Sequence, residues 1–133
     1  EPARRVVCLA KLLLAGLFAT AASAAPSAPP VQTESDALLR RLEASGCEFN
    51  RNGSWYTAAE AKTHLLRKLR YLQDRGMAQT TEQFIELAAS GSSTSGQPYL
   101  VKCGSEVPVT SGKWLRSQLQ DMRSARRADL EVR

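Results

Sequence analysis

Leu38, Leu39 and Leu42 recur at steps of three and four in a polar stretch, the spacing of one buried helix stripe. The pattern predicts a helix over 35–45, stopped at Gly46, where glycine takes the left-handed conformation that ends helices. The period then changes. Aromatic residues flank Asn52-Gly53 within 47–56, and Asn-Gly suits a two-residue turn with positive φ, so this segment reads as a β-hairpin. Helical spacing returns with Ala61, Leu65, Leu69 and Leu72 behind a capping box, Thr57 with Glu60, in which each side chain satisfies the other's backbone N–H. That helix is expected to run to Arg75, with Gly76 as its end. A second box at 80–83 opens a shorter helix through Phe84, Ile85, Leu87 and Ala88.

Serine and glycine dominate 90–98, which predicts a loop, and 99–103 reads as a strand lying beside the hairpin as its third member. After Pro108, Ser111 is placed to cap a last helix carrying Trp114, Leu115, Leu119 and Met122 at helical spacing. The order predicts a small single α+β domain, about four helices packed on a short two- to three-stranded antiparallel sheet. Residues 35–123 suffice for one modest core. Trp55 and Trp114 are read as core or sheet-edge packing.

Upstream, the chain changes character. Arg4, Arg5 and Lys11 precede an apolar run of 11 residues over 12–22, and Ala22-Ser23-Ala24 has the small-residue cleavage pattern. This reads as a secretory signal over 1–24, cleaved near Ala24 and Ala25, and too short to span a bilayer. Cys8 sits too early in the run for a lipoprotein anchor, and Val6-Val7-Cys8 lacks the remainder of a twin-arginine pattern. Residues 25–34, rich in proline and alanine, read as an extended spacer. The expected product is periplasmic, with no stable membrane insertion after cleavage.

Cleavage would leave two cysteines, Cys47 and Cys103, 56 positions apart. An even pair in an exported chain predicts a disulfide, the alternatives being free thiols or a metal site for which further His or Cys ligands are lacking. The charge falls from +5 to +3, with the basic excess gathered in Arg116, Arg123, Arg126 and Arg127 towards a tail over 124–133. Arginines there match the negative end of a helix dipole. No aromatic residues interleave with them, and no nucleic-acid partner is expected. Asn52-Gly53-Ser54 is also a glycosylation pattern, relevant only to a eukaryotic secretory route.

Candidate chemistry lies in two places. Ser92, Ser93, Thr94 and Ser95 put hydroxyls on a glycine-flanked turn whose backbone amides could cradle an anion, although such side chains commonly bond their own loop. Glu60, His64 and Lys68 form a ladder at four-residue spacing, and His64 lies about 140° around the helix from Leu69, away from the core centre. The ladder gains meaning only if the serine loop folds over it. No cofactor and no metal site is predicted, since Glu60 with His64 lacks a second histidine. Two functions follow. One is a non-catalytic binding or accessory module that offers Arg51, Asn52, His64, Lys68, Ser92, Ser93, Ser95 and Tyr99 to a periplasmic protein or envelope polymer. Alanine at Ser95 and Tyr99 should then abolish capture and leave stability nearly unchanged. The other is a small hydrolase or transferase using His64 as base for a loop serine, which needs the two within about 3 Å or one water.

The segment Cys47-Glu48-Phe49-Asn50-Arg51-Asn52-Gly53-Ser54-Trp55-Tyr56, then Ala58-Ala59-Glu60-Ala61 with His64-Leu65 and Lys68, then Phe84-Ile85 and Ser92-Ser93-Thr94-Ser95-Gly96-Gln97-Pro98-Tyr99, resembles the YfeK-like family. These are small exported bacterial proteins grouped as a domain of unknown function. The similarity covers roughly 36–122. It implies a periplasmic location and brings no activity or catalytic residue to carry over.

Overall fold

A computed structural model describes residues 29–133 and the isolated positions 16 and 19. Apart from those two positions, the expected leader and its cleavage site lie outside the described residues. The first helix, α1 (Val31–Ser45), follows Pro30, whose missing N–H and extended backbone suit a helix entry. The spacer expected to reach residue 34 is therefore corrected: Val31, Gln32, Thr33 and Glu34 form the first helical turn. Proline and alanine content marks the chain only up to Pro30, and Glu34 is drawn into the helix by partners distant in sequence, described below. Leu38, Leu39 and Leu42 are fully buried, and the helix ends at Gly46 with φ 66°, as its missing Cβ permits.

The hairpin joins β1 (Glu48–Arg51) to β2 (Ser54–Tyr56), with Asn52 and Gly53 at φ 51° and 84°. Both values match the turn that follows strand twist in two-residue hairpins. Helix α2 (Ala58–Gln73) begins with both halves of the Thr57–Glu60 box formed. A short helix, α3 (Thr81–Phe84), then widens into a π-helical turn at Ile85–Ala89. Its expected box is half made: Thr80 Oγ1 accepts the Gln83 N–H, while Gln83 Oε1 accepts from Gln79 N.

Strands β3 (Leu100–Lys102) and β4 (Val109–Thr110) complete an antiparallel sheet in the order β2-β1-β3-β4. The sheet has one strand more than expected. Two residues after a proline carry no readable alternation, and β4 exists through pairing of Val109 with Val101. Glu48 faces Lys102 across β1 and β3, and a Cys47–Cys103 disulfide closes the same end. The chain is thus a small α+β domain, its helices packed on a short antiparallel sheet and braced by one disulfide. No helix among the described residues is long and apolar enough to cross a membrane.

The last helix, α4 (Ser111–Val132), has Thr110 at its N-cap position with no side-chain capping bond, so Ser111 is not the cap. Ser111 is buried, its hydroxyl donating to the Ala89 carbonyl and its N–H to that of Tyr99. Leu115 and Leu119 are buried while Trp114 and Met122 pack at the core's edge. Residues 124–132, expected as a tail, continue the helix.

Two arginines of α4 answer a buried carboxylate. Glu34 Oε1 receives the Thr81 hydroxyl at 2.6 Å and Arg123 Nη2 at 2.7 Å, Oε2 receives Arg123 Nε at 3.2 Å, and Arg126 approaches to 3.5 Å. Arg123 also pairs with Glu82. The Arg123 hydrogen bond holds the Glu34 carboxyl below its ordinary value of 4.5, against the opposing effect of burial. A depressed carboxylate contributes stability above its unfolded value and loses it as pH falls through the folded value. Glu34→Gln is accordingly expected to cost about 2 kcal/mol at pH 7. The difference from the unmodified protein should shrink on acidification below pH 4.5, in melting curves recorded from pH 7 to 3. A difference constant across that range would assign the loss to packing rather than charge.

Candidate functional site

The period of α2 sets Leu65 and Leu69 into the core and leaves His64 and Lys68 on the shoulder of that stripe, half-buried. Arg67 and Tyr71 are exposed, as the helical spacing predicts. The condition that gives the ladder meaning is met, because the serine loop folds over it. Lys68 Nζ donates to the Gly91 carbonyl at 3.1 Å and to the Tyr99 hydroxyl at 3.0 Å. Glu60 takes no part in the ladder: its carboxylate accepts the Thr57 N–H at 2.9 Å.

Beside His64 the hairpin brings Arg51, whose Nη1 lies 2.9 Å from His64 Nδ1. The guanidinium also stands over the Tyr56 ring, 5.0 Å from its centroid. His64 Nε2 is 3.3 Å from the Tyr99 hydroxyl. Tyr99, 2% exposed, lays its ring 5.1 Å from that of Phe49 at 55°. The residue expected at the surface is therefore a core residue with its hydroxyl in the site. Register explains this: β3 pairs Val101 with Phe49, and the adjoining Tyr99 covers the same side of the sheet.

Asn52 joins the hairpin tip to the loop. Its Oδ1 accepts the Ser95 hydroxyl at 2.6 Å and its Nδ2 donates to Ser92 Oγ at 3.3 Å. Ser92 Oγ also receives the N–H groups of Thr94 and Ser95 at 3.3 Å each and meets the Thr94 hydroxyl at 3.0 Å. Ser92 is buried and braces the turn, whereas Ser93 is exposed at the rim. Of the candidate residues, Arg51, His64, Lys68 and Tyr99 thus form one contiguous polar cluster, with Asn52, Ser92 and Ser95 as the latch beside it.

His64 lies on the wall of three adjoining hollows of about 230, 420 and 230 Å³. Burial, then the Arg51, Lys68 and Arg67 charges, push its pKa down to about 4. Burial, followed by Arg51, also lowers Lys68, and burial raises the Tyr99 hydroxyl against the opposing pull of Arg51. Among the described residues no hydrogen bond joins His64 to a loop hydroxyl, since its ring nitrogens meet Arg51 and Tyr99. A ring so weakly basic is mostly unprotonated at neutral pH and is poorly matched to base catalysis there. No group of three or more His, Cys, Asp or Glu is gathered as a metal site among the described residues.

Sequence reasoning overlooked Tyr56 and the Gly91 carbonyl. Tyr56 was within reach of the pattern, for Phe49 pairs with it across the hairpin and shares a strand face with Arg51. Gly91 carries no side-chain signal.

The architecture is that of a disulfide-braced α+β domain holding a cationic, tyrosine-lined groove between hairpin, helix and loop. A family model described as "Family of unknown function (DUF5329)" matches residues 29–123, and the chain belongs to this family. It is 35% identical over 96 residues to a protein of Salmonella typhimurium strain LT2 described as "Uncharacterized protein YfeK", a match covering 72% of this chain and 76% of that relative. No solved structure matches.

Proposed function

We propose that the protein is an exported, periplasmic, non-catalytic binding module that presents the hairpin tip and serine loop, latched as one surface, to a protein or envelope polymer. The observation that carries this reading is the Asn52 bridge to Ser92 and Ser95 beside the groove. Two loops tied together lose little freedom on meeting a partner, which favours binding. The disulfide suits an oxidising compartment, in keeping with the leader pattern at 1–24. The hydrolase alternative lacks a direct histidine–serine hydrogen bond among the described residues.

Asn52→Gly and Ser95→Ala test the reading, because the first removes the latch at a backbone position glycine tolerates and the second removes an exposed hydroxyl. The oxidised protein and both variants are compared for capture from periplasmic extract and from purified envelope polymer. Capture is expected to drop about ten-fold in the variants, with melting temperatures shifted by about 5 °C or less. Equal capture by all three proteins would remove this surface from recognition.

A further inference from the structure

Ion pairs elsewhere in the fold include Glu34 with Arg123 and Arg126, Glu82 with Arg123, and Glu43 with Lys62. Arg51, Arg67 and Lys68 converge on His64, and among the described residues none of the three is within ion-pair distance of a carboxylate. Glu60 stands on the wall of the first hollow, but its carboxylate faces the Thr57 N–H. Like charges gathered with part of their hydration removed are unfavourable until an anion answers them.

The hydrogen bonds around His64 show the same excess of donors. Arginine only donates, so His64 Nδ1, its nearer ring nitrogen, accepts, and the neutral ring carries its proton on Nε2, facing the Tyr99 hydroxyl. Lys68 donates to that same hydroxyl. With the Tyr99 oxygen accepting from both, its own O–H is left as a further donor, and Tyr99 lines the third hollow together with Arg51, Lys68 and Ser92. Donors therefore outnumber acceptors at this wall. The neighbouring 420 Å³ hollow shares His64, Arg67, Lys68 and Ser93 with the cationic region and has Tyr71, Leu72, Leu87 and Ala88 as its apolar side. Its volume falls within the range of small-molecule sites, about 300–1,000 Å³.

We infer that the groove binds an oxyanion group, a carboxylate or a phosphate monoester, carried on an apolar body. The anion lies against Arg51, Lys68 and the Tyr99 hydroxyl, and the apolar part lies along Tyr71 and Leu87. This inference rests on the reading of the groove as a recognition surface and specifies what it recognises.

Amide chemical shifts of the oxidised protein are followed while phenyl phosphate, phenylacetate or benzyl alcohol is added. Saturable shifts centred on His64, Lys68 and Gly91 are expected with the acids, at least about ten-fold tighter than with the alcohol. The tighter acid identifies the oxyanion. Lys68→Met keeps the apolar stem and removes the charge, and it should weaken the acid about ten-fold; Arg67→Met, which removes an exposed charge from the rim of the adjoining hollows, should weaken it by a smaller factor and carries the test if Lys68→Met does not fold. Arg127→Met, near the C-terminal end of α4 and on the wall of none of the three hollows, should leave affinity unchanged. Equal binding of the alcohol, affinity indifferent to both groove variants, or no saturable shift with either acid would overturn the oxyanion inference. In each case the binding-module reading would still be decided separately, by the Asn52→Gly and Ser95→Ala capture comparison.

Discussion

Replacing Cys47 and Cys103 together with serine is expected to lower stability by about 4 kcal/mol, the chain-entropy value for a closure of this length. The bridge spans 56 positions and encloses the hairpin, α2, α3 and the serine loop. Every residue of the groove therefore lies inside the loop it closes. Domains of this size have total stabilities of about 5–15 kcal/mol, so the loss removes a large fraction. Near the melting point it corresponds to a drop of roughly 15–30 °C. Reductant should reproduce that drop in the unmodified protein and leave the double variant unaffected. A shift of only a few degrees would mean that β1–β3 pairing holds this end of the sheet without the bond. The size of the effect also bears on location, since in a reducing compartment the same chain would keep only the stability of its non-covalent contacts.

What the sequence made legible is what neighbouring residues decide among themselves. The Thr57–Glu60 box, the left-handed stop at Gly46 and the Asn52-Gly53 turn each depend on a few adjacent positions, and each forms where the pattern placed it. The leucine stripes of α1 and α2 are equally local. What escaped depends on partners distant in the chain. The start of α1 at Val31 follows from Glu34 meeting Thr81 and Arg123, β4 follows from Val101, and Ser111 is claimed by Ala89 rather than by its own helix. The candidate site divides along the same line. His64 and Lys68 were visible by spacing and Ser92, Ser93 and Ser95 by composition. Their meeting with Arg51 and the Asn52 latch required the third strand to return beside the hairpin and carry the loop over α2. Tyr99 reads as a surface contact from sequence because nothing local distinguishes a loop-end tyrosine that faces solvent from one that covers Phe49.

That distinction governs the second large effect. Tyr99→Ala is expected to cost about 3–5 kcal/mol, because it empties a buried aromatic site against Phe49. The pair Ser95→Ala with Tyr99→Ala, which the sequence offered as a nearly neutral surface probe, therefore reports on folding. Tyr99→Phe separates the two roles. The ring and its contact with Phe49 remain, and only the hydroxyl that receives Lys68 and faces His64 is lost, a change worth about 1 kcal/mol. Burial raises the Tyr99 hydroxyl above its ordinary value of 10.0, so it stays protonated throughout the neutral range and available as a donor. Urea unfolding of the two variants should thus show a large loss for alanine and a small one for phenylalanine, the phenylalanine variant keeping most of its stability while binding phenyl phosphate more weakly. Comparable losses in both variants would instead make the Lys68–Tyr99–His64 contacts a foundation of the fold, with the groove's charge arrangement retained for stability rather than recognition.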